Sequence, residues 1–137
     1  MMKLTHPLRM ARTLALGAGA LDLSTGLGLV FWPSLTYALM RVPVPTGEAL
    51  VYGRFVGVFV GAVGLSYLLA WRTGRVEELR AQFRFTLPFR MGAGTFCAAA
   101  VVVGWMTPMW LSVVVTDYAL VGAQIWLLRQ TWEEASS

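Results

Sequence analysis

Three ionisable side chains sit where water should be scarce. Asp22, Arg54 and Asp117 each interrupt a long apolar stretch, and Arg90 stands near the edge of another. An unpaired charge at the centre of a membrane helix costs about 2.5–3.5 kcal/mol on insertion scales. Such residues persist when they pair, face a water-filled cavity, or do chemistry. An arginine fork can hold an anionic group, and an aspartate can exchange a proton. The same residues can also serve only as a fastener that fixes helix register. Gln124 follows Asp117 by seven residues, so the two share a helical face and make a polar stripe. Thr25, Thr95, Thr116 and Tyr118 are further hydrogen-bonding candidates nearby.

The residue inventory narrows the chemistry. The one histidine, His6, lies in the polar N-terminal tail, so a bis-histidine haem site within one chain is impossible. The one cysteine, Cys97, cannot form an internal disulfide or dithiol centre. No metal-ligand cluster, cofactor motif or nucleophile-base set is visible. No catalytic residue is therefore assigned and the balance leans away from an enzyme, although an acid-base isomerase using Asp22 and Asp117 stays open.

The elements that must position these charges follow from composition. Of 137 residues, 57% are hydrophobic and only 13% charged, whereas soluble domains carry about 25% charged residues. Four stretches are long enough to span about 30 Å of hydrocarbon: residues 13–32, 49–71, 88–106 and 109–128. Pro88 and Pro108 suit the first turn of a helix, where the missing N–H costs nothing. The sequence thus predicts an all-α, single-domain membrane four-helix bundle. Ala18-Gly19-Ala20 resembles a signal-peptide cleavage site, but hydrophobicity continues to Trp32, so a retained helix is expected.

Depth follows from helical rise. Arg54 lies about 8 Å and Asp117 about 12 Å from one membrane boundary, so the two are expected to pair. Asp22 lies near mid-membrane, within reach of Arg54 or Arg90. Arg90, read as close to a helix start, can snorkel to lipid headgroups.

Lys3, Arg9, Arg12, Arg72, Arg75, Arg80, Arg84, Arg90 and Arg129 fall on one side of the spans, and the other side has only Arg41. That asymmetry predicts both termini on the cytoplasmic side. Net charge is +4, but the basic residues cluster at loop ends, which argues against a nucleic-acid partner. Val76, Leu79 and Phe83 recur at helical spacing, so residues 75–84 could form a surface helix. Six tryptophans fall near span boundaries, as interfacial anchors do. Gly53, Gly57, Gly61 and Gly64 share a face of the second span, and Ala18 and Gly26 share one with Asp22 in the first. Both stripes let helix backbones approach closely.

An aspartate in the first span, the Phe31-Trp32-Pro33 stop, and Arg54 followed by spaced glycines and Tyr67 carry a resemblance. Arg90 opening the third span adds to it, as does Asp117-Tyr118 after Thr107-Pro108. Together they resemble the small four-helix bacterial membrane proteins called DoxX-like. The resemblance implies a multi-pass protein of the bacterial inner membrane, and some members of that wider group are associated with quinone-linked sulfur oxidation. Two functions remain: a non-catalytic accessory subunit, meeting other membrane subunits or its own copies, or a site for quinone or lipid. A proton-coupled transporter using Asp22, Arg54 and Asp117 is a variant of the second.

Overall fold

The computed structural model describes residues 5–132; Lys3, which contributes to the charge asymmetry, lies outside them. It is all-helical, with α1 at His6–Phe31, α2 at Pro33–Leu39, α3 at Glu48–Thr73, α4 at Val76–Val102 and α5 at Leu111–Leu128. A single 3-10 turn at Pro108–Trp110 leads into α5. Four of the helices are long and apolar enough to cross a membrane, the make-up of a multi-pass membrane protein. The short α2 belongs to the α1–α3 connection.

The bundle is two tightly joined pairs. α1 packs against α3 through glycine: a Cβ on Gly26 would strike the backbone of Gly61, and one on Gly64 the backbone of Leu23. Gly57 faces Leu29, while Gly53 meets the Tyr37 hydroxyl of α2 instead of a spanning helix. With no side chain between them, the two backbones gain dispersion contact that lipid cannot supply. α4 packs against α5, where Gly94 receives the ring of Tyr118.

Several sequence expectations change at α4. Pro88 does not start a helix but lies inside one that runs unbroken from Val76 to Val102. Proline is tolerated in spanning helices because neighbouring groups can re-satisfy the freed carbonyl. Residues 75–84 accordingly do not form a separate surface helix. Val76 opens α4, and Leu79 and Phe83 are fully buried with Leu8, Ala11, Ala15, Tyr67 and Leu127. Trp132 is also not an interfacial anchor. It meets Phe83 edge to face, lies beneath the Arg80 guanidinium and donates to the Leu127 carbonyl at 2.7 Å. Arg80 donates to the carbonyls of Leu128 and Gln130, satisfying the open C-terminus of α5.

Candidate functional site: a cavity above a buried guanidinium

Arg90 does not snorkel. Because α4 begins at Val76, Arg90 lies about 21 Å along it, at the height of Asp22 and Asp117. Leu79, Phe83, Thr86, Arg90, Gly94 and Cys97 form one continuous buried face of α4. The Arg90 side chain is only 2% exposed and makes two ion pairs, Nη1 to Asp117 Oδ1 at 2.8 Å and Nη2 to Asp22 Oδ2 at 2.5 Å. Its Nε donates to the Tyr67 hydroxyl at 3.2 Å. One side chain thereby joins all four spanning helices: it grows from α4 and holds α1, α3 and α5. The planar fork suits this task, since an ammonium could not offer three donors in fixed directions.

The expected Arg54–Asp117 pair is absent. Arg54 is exposed, and its Nη1 donates to the Val30 carbonyl at 2.6 Å. Val30 lies in the last turn of α1, where carbonyls lack helical partners and the dipole favours a cation. An open helix end two residues from the span boundary thus claims the arginine before the acid can. Thr95 and Tyr118 bond to each other at 2.8 Å on an exposed face, apart from the charges. Thr116 turns back to the Ser112 carbonyl.

Below the guanidinium, towards the chain ends, lies a second polar layer. Tyr67 Oη donates to Gln124 Oε1 at 2.9 Å and shares a 2.7 Å bond with Thr86 Oγ1. Gln124 Nε2 donates to Thr86 Oγ1 and to the Phe83 carbonyl. Gln124 is fully enclosed, and each of its polar atoms is used. It therefore supports Arg90 through Tyr67 and does not touch the acids. Thr86 was not legible as a site residue, although it sits four residues before Arg90 on the same face.

Above the guanidinium the bundle opens. A cavity of about 750 Å³ lies between α1, α3, α4 and α5 beneath α2 and its loop. Asp22, Arg90 and Asp117 reach it, with Thr25, Ser112 and Thr116 as further polar lining. The walls are apolar and aromatic, including Tyr52, Phe59, Phe89, Phe96 and Trp110. Tyr37 of α2 closes one side, and burial pushes its phenol above the ordinary value. Arg54 does not line this space. Among the described residues, no group of three His, Cys, Asp or Glu side chains is placed to hold a metal ion.

Ala18 is buried in the terminal core, as a packing residue should be. The glycines join α1 to α3, with Gly64 against the backbone of Asp22 itself, and Arg90 ties that pair to α4 and α5. No family model, curated protein or solved structure matches this chain.

Proposed function

We propose that the protein is a membrane-embedded binding protein for an apolar small molecule with a polar head, of the lipid or quinone kind. One observation carries this reading: an aromatic-walled cavity in the apolar part of the bundle has its charged groups gathered on one floor. Ligand sites typically combine such apolar walls with a few convergent polar groups. Asp22, Arg90 and Asp117 would hold the head, and the walls would take the ring or chain. The layer of Tyr67, Thr86 and Gln124 below is satisfied internally, so the ligand enters and leaves from the loop side or from lipid. The closed layer argues against a through-path, which speaks for binding over proton-coupled transport.

The chain is read as a bacterial inner-membrane protein with both termini cytoplasmic, supported by the arginine-rich terminal side. DoxX-like membership rests on the residue pattern given above. Native mass spectrometry of the protein purified in mild detergent tests the binding reading. A lipid or quinone adduct is expected, and Ala93→Trp, which fills the cavity, should remove it. A bare wild-type chain, or an adduct that survives Ala93→Trp, would overturn the proposal.

A second reading, an accessory subunit, is favoured by a groove between α1 and α5. Gly17, Ala119 and Ala123 lie among its lining residues and leave room for a partner helix to approach. A strictly monomeric preparation without co-purifying protein would count against it.

A further inference from the structure

The charges on the cavity floor do not balance. Arg90 is the sole cation among the lining residues, and Asp22 and Asp117 are the two acids. Had Arg54 joined them, two arginines would have matched two aspartates; instead it is occupied at the end of α1. Two carboxyl groups against one guanidinium leave the floor one positive charge short whenever both are ionised, and a bound cation competes with a proton to supply it.

The hydrogen-bonding capacity is also uneven. Arg90 uses three of its five N–H groups on Tyr67, Asp117 and Asp22, and the two left over are fewer than the acceptor sites that two carboxylates offer. Each carboxylate is bound through one oxygen only: Asp22 through Oδ2 and Asp117 through Oδ1. Asp22 Oδ1 and Asp117 Oδ2 have no protein donor among the described residues, although Asp117 is only 7% exposed and lines the cavity. A carboxylate oxygen that reaches the cavity without a protein donor is an open acceptor. What the floor lacks is a second positive charge to match its second carboxylate.

The walls suit such a head as well. Tyr52, Phe59, Phe89 and Phe96 surround the space above the acids, and aromatic faces attract ammonium groups. We infer that the cavity selects a lipophilic organic cation: a protonated amine over Asp22 and Asp117, its apolar body between the aromatic walls. This rests on the binding reading above and names the class of head group that the site takes.

Isothermal titration of the full-length protein in an uncharged maltoside detergent at neutral pH tests it. The probes are phenylbutylamine, phenylbutanol, phenylbutanoate and tetramethylhydroquinone, which vary charge and donor capacity. The amine is expected to bind at least about tenfold more tightly than the alcohol, with the carboxylate weakest. In Asp117→Asn that amine-to-alcohol ratio should collapse towards unity, a comparison made within one protein sample and so independent of its yield. Hydroquinone binding as tight as the amine would overturn the charge requirement while leaving the cavity a binding site. So would an alcohol that matches the amine, or a ratio unchanged in both Asp117→Asn and Asp22→Asn. No binding by any probe would instead remove the binding reading itself.

Discussion

The half of the bundle near the chain ends and the half near the α2 loop are built from the same four helices but filled in opposite ways. Towards the chain ends, Leu8, Leu79, Phe83, Leu127 and Trp132 close the interior, and the polar atoms of Tyr67, Thr86 and Gln124 satisfy one another. Towards the loop, only the small cluster of Leu29, Tyr37 and Val42 is closed, and beside it a cavity lined by small or polar residues such as Thr25, Ala49, Ala93 and Ser112 remains. Arg90 lies at the boundary and belongs to both. The contrast separates two uses of buried polarity. A network whose donors and acceptors all match fastens helices, whereas one with open acceptors on a cavity wall awaits a partner.

Substitutions can break that contrast or sharpen it. The largest effect is expected from Arg90→Ala, which leaves Asp22 and Asp117 without their cation and releases Tyr67. Breaking a buried pair typically costs about 3–5 kcal/mol, so the unfolding midpoint in detergent should fall and both halves should loosen. Arg90→Lys should recover only part, because one ammonium cannot serve Asp22, Asp117 and Tyr67 together. Full recovery by lysine would mean that charge alone, without the fork, joins the halves.

Gly26→Val comes next. The added carbons meet the Gly61 backbone and the Gly57 carbonyl, and overpacking of this kind costs about 1–3 kcal/mol. Thermal melting should register the loss, and an unchanged Tm would contradict the close α1–α3 contact. Tyr67→Phe removes the hydroxyl shared by Arg90, Thr86 and Gln124. About 1–3 kcal/mol should be lost for the groups left unpaired. This variant sharpens the comparison, since Tyr67 does not line the cavity: Tm should drop while the amine-to-alcohol preference persists.

Arg54→Gln is expected to cost least, roughly 1 kcal/mol or less for a helix-end contact, with ligand preference intact. A loss of amine selectivity in that variant would return Arg54 to the site from which the Val30 contact removes it.

The number of spans and most of the glycine stripe are legible because both depend on composition and spacing, which packing does not rearrange. Gly26, Gly57, Gly61 and Gly64 meet because only glycine lets two backbones touch in that way. The pairing of charges was less legible, and a single residue explains why. Reading Pro88 as a helix start moved Arg90 to the membrane surface and broke the buried face from Leu79 to Cys97 into two pieces. Once α4 runs through Pro88, Arg90 lies mid-bundle and its partners follow from depth alone. Arg54 misled for another reason: depth matched it to Asp117, but the unfilled carbonyls at the end of α1 were nearer. Thr86 carries no charge and is marked only by its place on the face of Arg90, and Tyr67, noted in the residue pattern, gives no sign in the sequence that it bonds to the arginine.

The bond between Arg90 and Asp22 also imposes an order on the making of the protein. Synthesis runs from the N-terminus, so Asp22 enters the membrane 68 residues before the arginine that neutralises it. The glycine contacts of α1 and α3 form within the first half of the chain, and the acid then waits in the hairpin they make. Asp117 follows Arg90 by 27 residues, so the second hairpin arrives with its own pair already able to close. The early hairpin is therefore the needy one and the late hairpin the capping one, and Arg90 is the residue with which the nascent chain completes itself.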